Sequence, residues 1–86
     1  MSAPNYRVRL QNLLSRAGYR EQDHYYWTEQ TTVLNGHDYH TATFCFGNVT
    51  IPNDTLQKSK ALAKEEAARL AFLFVSNYLN PPIRSQ

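Results

Sequence analysis

Three lysines in the C-terminal half have the spacing that best suits a chemical task. Lys60 and Lys64 are four positions apart in a segment rich in Ala, Glu and Leu, so a helix would place both on one face, one turn apart. Lys58 comes just before them and could reach the same side. The N-terminus of a helix favours anions through its unpaired N–H groups and its dipole, so this segment is a candidate for phosphate contact. Ordinary solvated lysines would give the same pattern, and the sequence alone leaves that alternative open.

Length, charge and cysteine content limit what this site can belong to. A chain of 86 residues supports one compact core, and we predict a single domain over 1–86, with a core at about 5–79 and a flexible tail at 80–86. The net charge is only +2, so any polyanion site must be a local concentration of positive charge. A single cysteine, no signal peptide and no apolar run of about 18 residues predict an intracellular protein away from membranes, in cytoplasm or nucleus.

The N-terminal segment has the apolar spacing of a helix with one buried face. Asn5 is a candidate N-cap, because its side chain can accept a hydrogen bond from the first turn. Gly18 is a candidate stop, because glycine readily takes the left-handed conformation that ends helices. The predicted buried face consists of Tyr6, Leu10, Leu13, Leu14 and Ala17.

The middle of the chain, from Tyr25 to about Ile51, is rich in β-branched and aromatic residues, which predict strands. The turn cluster at 34–38 contains Asn35-Gly36, and Gly47-Asn48 is a second turn. Two tight turns between strand-forming segments predict three antiparallel strands. Helical spacing returns from about 57 to 79, with a predicted apolar stripe of Ala63, Ala67, Leu70, Phe74 and Tyr78.

The predicted fold class is therefore α+β, in the order α-β-β-β-α. Two helices pack on one face of a three-stranded antiparallel sheet, and the other face is left to solvent.

This order and two of its helical segments resemble the double-stranded RNA-binding domain family, over about 6–79. Residues 59–71 are similar to the family pattern S-K-K-x-A-K-x-x-A-A-x-x-A, with Ala61 in place of the second lysine. The first helix resembles L-Q-E-L-x-x-x-x-G, with Asn12 at the usual glutamate. His40, four residues before Phe44, resembles the histidine of the family's G-P-x-H loop, although the proline is missing.

The resemblance implies largely sequence-independent binding of duplex RNA at three contact points. Side chains of the first helix and the loop between strands one and two would enter two minor grooves, and lysines would hold the phosphates between them. The implied residues are Lys58, Lys60 and Lys64 for phosphate, Gln11, Asn12 and Ser15 for one minor groove, and His40 for the other.

Parts of the sequence are also compatible with other functions. A domain of the same fold could instead bind a protein or dimerise, through the third strand and the C-terminal half of the last helix, at Phe72, Val75 and Tyr78. Cys45 with His40 or His37 could form a hydrolase pair, and His37 and His40 with Cys45 and Asp38 could form a zinc site, but neither set is complete. We therefore predict no enzyme activity, metal or cofactor. The aromatic run 25–27 could stack bases, although alternation along a strand favours packing.

Overall fold

A computed structural model describes residues 5–53 and 55–79 of the chain. The elements are α1 (Tyr6–Arg16), β1 (Tyr25–Leu34), β2 (His37–Phe46), β3 (Val49–Pro52) and α2 (Lys60–Leu79), which confirms the predicted α-β-β-β-α order. The sheet is antiparallel with the strand order β1-β2-β3. The predicted tail at 80–86 lies outside the described residues. Within the described part of the chain, neither helix is long and apolar enough to cross a membrane.

Helix α1 begins and ends as its sequence predicts, with one exception. The Val8 N–H donates to Asn5 Oδ1 at 3.2 Å, so Asn5 is the N-cap, and Gly18 takes a φ of +86° just beyond the helix. Leu10 and Leu14 are fully buried. The prediction was wrong for Ala17, which is exposed because the helix ends at Arg16 and the chain turns away from the core there.

The β1–β2 hairpin is longer than the sequence predicts. Asn35 and Gly36 alone form its turn, with φ of +52° and +78°, the left-handed values of a type I′ turn. Leu34 and His37 form the closing pair, so the strands include residues that were predicted as turn. Every residue from 29 to 38 is exposed, because this end of the hairpin extends beyond the helices. We call residues 29–41 the hairpin arm.

The core lies between the helices and the inner face of the sheet, around Phe44. The rings of Trp27 and Tyr25 approach the Phe44 ring with centroids at 5.1 and 5.5 Å. Small side chains allow α2 to lie close to the sheet, and its fully buried residues are Ala63, Ala67, Ala68, Ala71 and Val75.

The predicted apolar stripe of α2 was right for Ala63 and Ala67 and wrong for Tyr78, whose side chain is 59% exposed. Tyr78 lies in the last turn of α2, beyond the last fully buried residue of the helix. Tyr78 therefore has only an edge contact with Phe46, at 5.7 Å between centroids, and a stacked contact with Phe74 at 6.3 Å.

Candidate nucleic-acid interface

The predicted phosphate-binding lysines lie at the capped N-terminus of α2. The Leu62 N–H donates to Ser59 Oγ at 3.2 Å, which makes Ser59 the N-cap and fixes the start of the helix at Lys60. Lys58 and Lys60 are exposed on either side of this cap, and Lys64 is partly buried one turn later. The positive end of the helix dipole adds to their charge.

The two carboxylates that follow Lys64 are both engaged elsewhere. Glu65 accepts hydrogen bonds from the N–H groups of Tyr6, at 2.6 Å, and Arg7, at 3.3 Å, and so caps the N-terminus of α1 from α2. Its contact with Arg7 Nε, at 3.7 Å, is the one ion pair among the described residues. In this part of the chain the three lysines therefore have no carboxylate within ion-pair distance.

Glu66 belongs to a hydrogen-bonded network that fixes the segment leading into α2. Burial by itself would raise the pKa of Glu66, but hydrogen bonds from Asn53, Thr55 and Gln57 outweigh it and hold the pKa below its ordinary value. The Thr55 N–H and Oγ1 lie 3.3 and 3.2 Å from Glu66 Oε1. Glu66 is thus held in its charged form, turned toward the 53–57 segment and away from the lysines.

Asn53 is the buried centre of that network. Its Oδ1 accepts from the Ala42 N–H at 2.8 Å, and its own N–H donates to the Ala42 carbonyl at 2.9 Å. Its Nδ2 donates to Glu66 Oε1 at 3.0 Å and also to the Thr55 carbonyl. Asn53 therefore connects β2, α2 and the residues 55–57 that lead into α2, which we call the approach segment. No local sequence signal marks Asn53 for this role, because its partners lie on β2 and α2.

His40 lies within β2 rather than in a loop, which corrects the prediction. The longer hairpin places it opposite Thr31, and its Nδ1 is 3.1 Å from Thr31 Oγ1. Its backbone also pairs with the approach segment: the His40 N–H donates to the Gln57 carbonyl at 2.6 Å, and the Gln57 N–H donates back at 3.0 Å. This pairing brings the base of the hairpin arm next to the chain that leads directly into Lys58.

Lys64 connects the lysine cluster to α1. Its Nζ lies 5.2 Å from the centroid of the Trp27 ring, a cation–π contact that holds the ammonium over β1. Lys64, Trp27 and Gln11 line one groove of about 260 Å³, together with Val8 and Leu14 of α1. The cationic end of α2 and the polar side of α1 therefore share one surface. Sequence reasoning considered Trp27 only within the aromatic run 25–27 and missed its contact with Lys64, for which a tryptophan in a strand carries no local signal.

The predicted minor-groove residues of α1 are all exposed. Of these, Gln11 lines the groove with Lys64, whereas Asn12 and Ser15 do not. Helical geometry places Ser15 one turn beyond Gln11 and Asn12 further round, opposite the buried Leu10. The structure thus brings Gln11 and Lys64 together and leaves Asn12 and Ser15 further from the lysines.

The protein-binding surface predicted on α2 is wrong at its centre. Val75 is fully buried, and Phe72 packs edge-on against Tyr6 of α1 with centroids 5.9 Å apart. Of the three residues predicted for this surface, only Tyr78 is exposed. Phe72 and Val75 pack against α1 and the core of the same chain.

The alternation of β1 and β2 separates the other candidate clusters. Cys45 is buried on the outer face of β2, whereas His40 is on the inner face, so these two residues cannot act on one substrate atom. His37 and His40 likewise lie on opposite faces. In β1, Tyr25 is buried and Tyr26 is on the outer face, so the aromatic run forms no single stacking platform.

Comparison with models of known families, with curated proteins and with solved structures finds no match for this chain.

Proposed function

We propose that this chain binds double-stranded RNA by shape, without catalysis, metal or cofactor. The observation that carries the proposal is the lysine cluster at the capped start of α2, whose neighbouring carboxylates are turned away to other partners. A concentrated positive charge of this kind suits phosphates, although the net charge of the chain is only +2.

The surroundings of the cluster support duplex RNA over other polyanions. An A-form duplex presents two minor grooves separated by backbone phosphates, over ~16 bp. The lysines have polar groups of α1 on one side, with Gln11 nearest, and the hairpin arm with His40 on the other. Gln11 can both donate and accept, which suits a 2′-hydroxyl that does the same.

Loss of the two helical lysines tests the proposal. We expect Lys60→Ala with Lys64→Ala to lower the affinity for an RNA duplex of ~20 bp by at least about tenfold and to reduce the salt slope by about 2, because each phosphate contact releases counterions. The measurement is a fluorescence titration at several salt concentrations. Thermal unfolding by circular dichroism checks that the variant is folded, since Lys64 also contacts Trp27.

Arg69→Ala is the matched control, since Arg69 is an exposed cation further along the same helix. It should change the affinity much less than loss of one lysine. Binding by the folded double variant that equals wild type, in affinity and in salt slope, would show that the cluster is not the phosphate site.

A further inference from the structure

Strand β1 has one edge without a partner among the described residues. β2 pairs along its whole length on one side, from Tyr25↔Phe46 to Leu34↔His37. On the other side the 21–22 segment covers only the first residue, where the Gln22 N–H donates to the Tyr25 carbonyl at 2.6 Å. The rest of the edge, from 26 to 34, contains no proline and one charge, Glu29. Proteins normally block such long edges with charge, proline or a bulge.

The hairpin geometry determines which backbone groups this edge presents. In a two-residue type I′ hairpin the closing pair, here Leu34 and His37, exchanges both hydrogen bonds. Alternation then directs the N–H and C=O groups of residues 28, 30 and 32 toward β2. Those of Trp27, Glu29, Thr31 and Val33 point to the open side, which agrees with the outward carbonyl of Tyr25.

Large apolar side chains are exposed at both ends of the same strand. Tyr26 is 46% exposed near the body of the protein, and Val33 and Leu34 are 64% and 44% exposed at the tip of the arm. None of these three side chains contributes to the core, and the proposed RNA contacts do not use them. Exposed apolar groups on an open strand edge favour pairing with another strand.

We propose that β1 pairs antiparallel with β1 of a second copy of this chain, about a two-fold axis at Gln30, to form a six-stranded sheet. In this register residue 27 of each copy lies opposite residue 33 of the other copy, and residue 29 lies opposite residue 31. Each of these four pairs exchanges two backbone hydrogen bonds, which makes about eight in total. Tyr26 lies opposite Leu34 of the partner subunit, and Trp27 lies opposite Val33 of the partner subunit. Glu29 lies opposite Thr31 of the partner subunit, so the two Glu29 side chains are diagonal neighbours and not directly opposite each other.

The groove beside Trp27 gives this register an independent support. It lies where α1 approaches β1, and its apolar lining includes Val8, Leu14, Tyr25 and Trp27. Val8 is 49% exposed in the single chain. In the proposed register the tip of the partner's arm runs beside this groove, with the side chain of Val33 of the partner subunit on its inner face. Pairing therefore covers exposed apolar groups on both copies.

The first test is the mass in solution, measured by sedimentation equilibrium without nucleic acid. The wild type should associate from 10.0 kDa to about 20 kDa as concentration rises. Thr31→Pro removes an open-edge N–H that β2 does not use, and it should weaken dimerisation about tenfold or more. Thr31→Ala keeps that N–H and should dimerise nearly as wild type, which controls for loss of the hydroxyl near His40.

The second test addresses the register. Because Gln30 lies opposite its own copy, Gln30→Lys places like charges together and should weaken the homodimer about threefold, as should Gln30→Glu. An equal mixture of the two should form the heterodimer preferentially. Thr50→Lys adds the same charge on the outer face of β3, away from the edge, and should leave dimerisation unchanged.

Hydrogen exchange tests the proposed pairing in the wild-type chain, without any substitution. The amides of Glu29, Thr31 and Val33 should gain protection as protein concentration rises, whereas those of 28, 30 and 32 should be protected at all concentrations. A wild type that stays monomeric at millimolar concentration would overturn the proposal. A dimer unaffected by a folded Thr31→Pro variant, or one without concentration-dependent protection of these amides, would do the same.

Discussion

Single side chains decide whether the approach to α2 is a fixed structure. Asn53→Ala removes the partners of the Ala42 N–H, Glu66 and Thr55 at a buried position, and an unsatisfied buried group costs about 1–3 kcal/mol. We expect the free energy of unfolding to fall by roughly 2 kcal/mol or more. Urea denaturation measures it. Asn48→Ala, at an exposed turn residue, is the control and should change it far less. A loss for Asn53→Ala no larger than the control's would contradict the role assigned to Asn53.

The same network makes part of the stability depend on pH. The pKa of Glu66 is lower in the folded chain, because hydrogen bonds outweigh the opposing effect of burial. A lowered folded pKa stabilises the fold above the unfolded pKa of about 4.3, and this contribution is lost as pH falls through the folded value. Glu66→Gln should therefore lose most stability relative to wild type near neutral pH, and the difference should shrink below about pH 4.

Urea denaturation of both proteins from neutral to acidic pH tests this expectation. Asp23→Asn is the control, since Asp23 is exposed in a turn, outside the open 26–34 edge of β1, and its carboxylate accepts no such hydrogen bonds within the described part of the chain. A difference between wild type and Glu66→Gln that stays constant over the whole range would show that ionisation of Glu66 does not contribute.

At the scale of elements, the sequence predicted the turns and helix ends that depend only on neighbouring residues. The Asn35-Gly36 turn, the Asn5 cap and the Gly18 stop all follow from residues that favour one backbone conformation, and the structure has each of them. The hairpin length was underestimated because Leu34 and His37, beside the turn, have no strong preference for strand or turn. Pairing between the strands, which spans the whole hairpin, sets where each strand ends.

Contacts between distant elements could not be predicted in the same way. Glu65 caps α1 from a position 59 residues along the chain from Tyr6, so no window of sequence contains both partners. The pairing of Lys64 with Trp27 depends on how α2 crosses the sheet. The lysine positions were available from the sequence. That Glu65 and Glu66 have other partners required the fold, because both directly follow Lys64 in sequence and turn away only in space.

At the scale of the whole molecule, the proposed contact points belong to one body with a longest dimension of 53 Å. α1 is joined to α2 through Glu65 and the core. His40 of the hairpin arm pairs with Gln57 just before α2, and Asn53 links β2 to Glu66 of α2. A rigid body that contacts duplex RNA at separated points should bind a long duplex better than a short one. Shortening the duplex removes whole contact points without changing the protein.

This expectation separates RNA binding by the whole surface from attraction by the lysines alone. Reducing the duplex from ~20 bp to ~10 bp should weaken wild-type binding about tenfold, since ~16 bp are needed to reach both minor grooves. His40→Ala removes the arm's contact, so it should weaken binding of the long duplex and hardly affect the short one. Both proteins are titrated with both duplexes, which gives a double-mutant-type cycle of four affinities. The difference between the effects of His40→Ala on the long and the short duplex measures the contact of the arm with the second minor groove.

His37→Ala is the matched control, because His37 is exposed on the outer face of the same strand, turned away from the lysines. It should show the full wild-type length dependence. Melting temperatures confirm that both variants are folded, which matters for His40 because of its contact with Thr31. If wild type and folded His40→Ala lose the same factor on the shorter duplex, the arm does not reach RNA, and the binding surface is limited to α2 and α1.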